Sequence, residues 1–302
     1  MQHAHDGAME SHGSPVLITL AIALIALLYL RGWYRLRPGS LQASAWQGFS
    51  FLLGIFLVWV AVASPVAALD HQLLTIHMIQ HLLLMTVAPA LIWLGAPIAP
   101  LSQGLPQEFV RRAIRPVFSW PTVQRFGTAL TQPALCWLAA TAVLMGWHVP
   151  AAFNLGLHSA VWHSVQQASF FVAGLLFWWP VIQPWPSVAR WPEWSMILYL
   201  FFATVPCDIL SGLLVFGDRV VYPVYASSQH MYNLSALEDQ QCASALMWTL
   251  VTVIYLVAGV ILATRLLSPK ASHVGDSAPS GSLERGVSQP SPHSLEVAWH
   301  GN

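Results

Sequence analysis

The residues best able to do chemistry in this chain are histidines, and their spacing groups them. His77 and His81 lie four apart, so a helix stacks both imidazoles on one face, with Met78 and Met85 flanking the same stripe. Imidazole is the commonest side-chain metal ligand, and thioether sulfur can face the same cavity. His163, Gln166 and Gln167 form a second polar stripe, with His148 and His158 just before it. Thr204, Cys207, Asp208 and Ser211 recur at helical spacing inside an apolar run. An aspartate in such a run must be protonated, paired with histidine, or next to a cation. Glu238, Asp239, Gln240, Gln241 and Cys242 open a further apolar run and are followed by Met247. The acidic residues there can equally cap the helix that follows. The candidate metal ligands are therefore His77, His81, His148, His163, Asp239, Met78, Met85, Cys207, Asp208 and Cys242, and no residue is assigned a catalytic role.

Sulfur from Met and Cys beside imidazole suits copper, above all Cu(I), better than the oxygen-seeking magnesium or calcium. Zinc stays open, because His77, His81 and His163 with Asp208 provide three or four ligands around an open position. So do the ordinary readings: histidines as hydrogen-bonding residues between packed helices, and cysteines as small apolar ones. The leader carries a separate possibility. With Met1 retained and its amine free, His3 is the third residue, and amine, two amides and imidazole can enclose Cu(II) in a square plane. The bland alternative is a frayed polar tail.

Positioning such residues requires helices in lipid. Of 302 residues 56% are hydrophobic and 8% charged, whereas a soluble domain is about 25% charged. Apolar runs fall near 16 to 34, 46 to 64, 73 to 95, 131 to 147, 161 to 183, 194 to 216 and 241 to 264, each near the length a bilayer demands. The fourth is the weakest, with Pro133 near its start and the break Trp147, His148, Pro150 soon after. The expected fold is all-α: a polytopic membrane protein with a bundle of about seven transmembrane helices. Zero formal net charge removes the basic field that recruits nucleic acid. Three cysteines are too few for a disulfide framework.

Orientation follows from Lys and Arg. The first, third and fifth loops plus the tail hold eleven of them, and the leader and remaining loops hold only Arg219. By the positive-inside rule the N-terminus is outside and the C-terminus cytoplasmic. His71, His77, His81, His148, His158, His163 and His230 then gather toward the outer side, with His3, His5 and His12 in the leader. Helical rise puts His77 and His81 about 6 and 12 Å below the outer end of their helix. The expected divisions are a histidine-bearing extracytoplasmic leader over 1–15, a seven-helix membrane domain over 16–267 and a disordered cytoplasmic tail over 268–302, rich in Ser, Pro and Gly. Between the third and fourth spans, Phe109, Val110, Ile114, Val117 and Phe118 beside three arginines suggest an amphipathic helix on the inner face.

Several stretches resemble a known family. His77-Met78-Ile79-Gln80-His81 followed by Leu82-Leu83-Leu84, then Ala88-Pro89 and Leu94-Gly95-Ala96-Pro97, make up the first. Trp147-His148-Val149-Pro150 with Phe153, His163 with the stretch from Gly174 to Pro180, and Asp239-Gln240-Gln241-Cys242-Ala243 with Met247-Trp248 follow in order. Together they resemble the CtaG-like family of multi-span cytochrome c oxidase assembly factors, over residues 46 to 264. The resemblance implies a seven-helix protein of the bacterial plasma membrane that helps assemble a haem-copper oxidase by helping copper reach the enzyme, and the leading expectation is that it passes copper to an oxidase subunit without chemical turnover. It carries the family's polar positions onto His77, His81, His148, His163 and Asp239. Gln166 and Gln167 depart from it, standing where an acidic residue and another histidine are expected after His163. Two rival readings are a zinc-dependent membrane hydrolase, with Asp208 or Asp239 as base, and a haem-binding electron carrier with two axial histidines.

Overall fold

A computed structural model describes residues 6–36, 44–183, 191–228 and 234–268. His3, His5, His230 and the tail histidines lie outside them, as does the whole of the proposed Cu(II) leader site. Every described element is helical. The chain runs through α1 (Asp6–Arg35), α2 (Ala45–Ala63), α3 (Leu74–Leu94), α4 (Ile98–Gly104), α5 (Pro121–Leu130), α6 (Pro133–His148), α7 (Pro150–His158), α8 (Ala160–Ile182), α9 (Glu193–Val215) and α10 (Ala236–Leu267). Short helical turns fill 107–119, and single 3-10 turns occupy Ala67–Leu69 and Pro223–Ser228.

Six of these helices are long and apolar enough to cross a membrane, and α5 with α6 makes a bent pair at 66° that brings the number to seven. Pro133 explains the bend. It has no N–H to continue α5, and its ring fixes the first turn of α6 instead. The 16 residues of α6 rise about 24 Å. They pack along α8 and α9, and the carbonyl of His148 at the far end receives the hydroxyl of Tyr222 from beyond the end of α9. The fourth apolar run thus traverses the bundle despite its short length.

The bundle is apolar on its outside and sets its buried polar side chains into an otherwise apolar interior. Leu17, Leu24 and Leu27 on α1, Phe201 and Leu213 on α9 and Leu256 on α10 point outward, while His77, His81, Gln166, Ser211, Asp239 and Gln240 are buried. Lipid imposes this arrangement, since polar groups in hydrocarbon must find partners among neighbouring helices. Among the six single spans α3 is the most enclosed, with 56% of its apolar window buried against 11% for α1. The histidine stripe therefore lies in the interior of the bundle.

Helix α3 is also irregular. Leu83–Val87 forms a π turn, in which the Ala88 N–H reaches back to the Leu83 carbonyl. Pro89 supplies the cause: it cannot donate to the carbonyl of Met85, and its ring would crowd it. Gly174 of α8 fills the gap, since a Cβ there would collide with the Met85 carbonyl and lie 2.7 Å from Pro89 Cγ. Such close approach of small residues is how helices associate in lipid.

The loops sort by end. Arg35 Nη1 donates to the Gln103 carbonyl at 3.1 Å, joining the ends of α1 and α4. At the opposite end, Tyr225 joins the α9–α10 connection to the α2–α3 turn, and Tyr222 joins it to α6. Exposed Phe109, Phe118, Trp120 and Phe126 stud the helical segments over 107–130. The amphipathic stretch read from the sequence is helical, although split into short pieces.

Candidate metal centre

Helical spacing places His77 and His81 on the inward face of α3, with ring centroids 4.3 Å apart. His77 is completely buried and His81 nearly so, and among the described residues none of their four ring nitrogens has a hydrogen-bond partner. Phe153 closes one flank, 5.0 Å from the His77 ring and 4.1 Å from Tyr222, while Phe170 stacks on His81 at 4.1 Å. Imidazoles with free lone pairs in so apolar a setting are suited to ligation.

The α2–α3 turn delivers the decisive partner. Its 3-10 segment is held by Gln80 Nε2, which donates to the Ala67 carbonyl at 3.0 Å, and by the Tyr225 hydroxyl on the Asp70 carbonyl at 2.9 Å. Asp70 is consequently buried. Its Oδ2 lies 3.1 Å from His163 Nε2, and Oδ1 lies 3.6 Å from Nε2 of the exposed His71. Asp70, His77 and His163 each offer a ligand atom, and those atoms all lie within 4.8 Å of one another. Burial pushes the Asp70 carboxyl up, but the hydrogen bond from His163 and the electrostatic influence of the surrounding imidazoles outweigh it and hold it below the ordinary carboxylate value. Two imidazoles and a carboxylate with coordination positions to spare can hold a transition-metal ion and exchange it.

One turn deeper, His81 faces His148. The His148 Nδ1 lies 2.7 Å from the Leu144 carbonyl and must carry the proton, which leaves a lone pair on its buried, unpartnered Nε2. Both rings line a cavity of about 40 Å³ between α3, α6, α8, α9 and α10, whose walls include Met85, Thr86, Trp137, Cys207, Met247 and Tyr255. The lining residues of α6, Trp137, Ala140 with Thr141, Leu144 and His148, recur once per helical turn, a single helical face.

The other residues singled out from the sequence lie elsewhere. Met78 is buried in the apolar core with Leu74 and Leu82. Asp239 binds the start of α3: Oδ2 accepts the Leu74 N–H at 2.7 Å, and Oδ1 accepts the N–H and hydroxyl of Thr75 at 3.1 and 2.6 Å. Its neighbour Gln240 accepts the Val221 N–H and donates to the carbonyls of Leu214 and Arg219, fastening the end of α9. Cys242 is exposed, and Asp208 is half-buried, with Oδ1 enclosed and unpartnered. His158 is exposed and bonded to the Asn154 carbonyl. Gln167 lies 3.5 Å from His163 Nε2, and Gln166 is wholly buried against Gly156.

Asp70 is the residue that sequence reasoning passed over. Its signal was modest: an acidic residue beside His71, seven before His77, in a short turn without Lys or Arg.

Comparison with known proteins is consistent with this architecture. Residues 27–268 match the family described as cytochrome c oxidase caa3 assembly factor (Caa3_CtaG). Two proteins named as uncharacterized, one from Mycobacterium bovis and one from Mycobacterium tuberculosis, are each 24% identical to the chain over 253 residues. Each alignment covers 82% of the chain and 38% of the mycobacterial protein, so the chain spans less than two fifths of these relatives. No solved structure matches it.

Proposed function

Since this chain belongs to the cytochrome c oxidase caa3 assembly factor family, we propose that it holds copper transiently at the histidine end of its bundle and passes it to a subunit of that oxidase. The protein acts in the bacterial plasma membrane as a multi-pass carrier, with the histidine end facing outward and without chemical turnover. The observation that carries this reading is the convergence of Asp70, His77 and His163 from a turn and two separate helices, their ligand atoms within 4.8 Å. Copper fits this donor set. Imidazole and carboxylate both bind Cu(II), and a three-ligand site with open positions can release its ion to a competing ligand set. The ion would be cargo rather than a resident cofactor.

The rivals find less support. A zinc hydrolase needs a carboxylate free to act as base on metal-bound water. Asp239 has both oxygens taken by the start of α3, and Asp208 does not line the histidine cavity. Haem ligation across His81 and His148 would require a porphyrin in a cavity of about 40 Å³.

The test is complementation of a strain lacking the gene. Asp70→Asn and His163→Gln, present in the membrane at normal amounts, should leave the caa3 oxidase deficient in copper and inactive while other membrane proteins stay normal. Normal copper content in the oxidase of both strains would overturn the copper role.

A further inference from the structure

We infer that the cavity one helical turn below Asp70, His77 and His163 is a second and chemically distinct site, which takes a soft monovalent cation of the Cu(I) type on His81, His148 and Met85. The inference concerns the cavity alone and does not depend on the use of the upper cluster or on oxidase assembly.

Two buried imidazoles with unpartnered ring nitrogens line this space. Among the described residues His81 has no partner on either nitrogen, and His148, fixed through Nδ1 by the Leu144 carbonyl, keeps a buried and unpartnered Nε2. Their ring centroids are 6.3 Å apart. One ion bound by both rings through metal–nitrogen bonds of about 2.0 Å spans roughly that distance. Met85 lies on the same helix as His81 and lines the same cavity, with Cys207 and Met247 on the facing walls. Nitrogen with thioether sulfur is the donor set that prefers Cu(I).

Charge discriminates between the two sites. Among the described residues no carboxylate lines the deeper cavity, whereas Asp70 belongs to the upper cluster. A divalent ion in the deeper space would carry two uncompensated charges among Phe170, Phe177 and Trp137, which an apolar medium penalises heavily. A monovalent soft ion carries one and tolerates low coordination. A volume of about 40 Å³ admits an ion and is small beside the roughly 150 Å³ of a cavity that takes benzene.

The experiment uses the full chain purified in detergent, with Ag(I) as a redox-inert probe. A Cys242→Ser background removes the exposed thiol, which would itself take Ag(I), and the added Asp70→Asn and His163→Gln changes disable the upper cluster, so a failure of the copper-delivery reading leaves the result unaffected. The double variant in that background should retain one tightly held Ag(I) per chain, with both nitrogen and sulfur neighbours in its X-ray absorption spectrum. Adding Met85→Leu, which conserves volume and so keeps the packing, should remove the sulfur neighbour and weaken Ag(I) binding by about tenfold or more. His148→Gln should abolish binding; should that variant misfold, the Met85→Leu result decides alone. Absence of bound Ag(I) from the folded double variant, a sulfur-free spectrum, or affinity unchanged by Met85→Leu would each overturn the inference.

Discussion

A carboxylate near a histidine cluster can serve the metal or the backbone, and hydrogen bonds distinguish the two roles. The oxygens of Asp239 accept two backbone N–H groups and one hydroxyl from the first turn of α3. Those N–H groups have no acceptor within their own helix, and negative charge at a helix start is favourable. Asp239→Ala should therefore orphan buried donors and lower stability by about 2–4 kcal/mol, read as a fall in the unfolding midpoint of the purified protein. Asp239→Asn retains one acceptor oxygen and should lose about half as much. Metal uptake per folded molecule should be unchanged in both. Loss of metal at unaltered stability would instead make Asp239 a ligand. The histidines themselves were legible from sequence because helical spacing and depth in lipid made them conspicuous. Asp70 was not, because a turn residue has no periodicity. What recruits it is the hydroxyl of Tyr225 and the amide of Gln80, contacts that only the folded chain creates.

At the scale of elements, hydropathy located the spans closely because lipid demands long uninterrupted apolar runs. The expected third segment, 73 to 95, is observed as Leu74–Leu94, and the weak fourth as Pro133–His148. The π turn was missed, since a proline in an apolar run signals a break without specifying its form. That turn matters because Gly174 packs against it, bringing α8 with His163 and Phe170 onto the histidine face of α3. Gly174→Ala would set a Cβ against the Met85 backbone, which cannot yield as a flexible side chain would. We expect a loss of about 1–3 kcal/mol in detergent unfolding, together with weaker metal binding as α8 is displaced. Gly146→Ala is the control, because a Cβ there meets nothing within 4 Å. It should leave stability unchanged or raise it by up to about 1 kcal/mol. Equal effects of the two substitutions would refute the tight contact.

For the whole molecule, the connections decide which residues share an end, and charge decides which way that end faces. Hydrogen bonds link the α2–α3 turn, the α6–α7 junction and the α9–α10 connection into one end that carries Asp70, His148 and Tyr222. Arg35 and Gln103 link the first and third loops at the other end. Eleven of the twelve Lys and Arg residues fall, by their place in the sequence, in or beside the first, third and fifth loops or in the tail. Reversing the bundle would require translocating nearly all of them, which membrane insertion resists, so the histidine end should face outward. Cysteine accessibility tests this directly. In a Cys242→Ser background, Ala68→Cys in the exposed α2–α3 turn should react with a membrane-impermeant maleimide on intact cells. Gln124→Cys, exposed on α5, should react only after the membrane is opened. The opposite pattern would turn Asp70, His77 and His163 toward the cytosol, and copper held there would be on the wrong side of the membrane for delivery at the outer face.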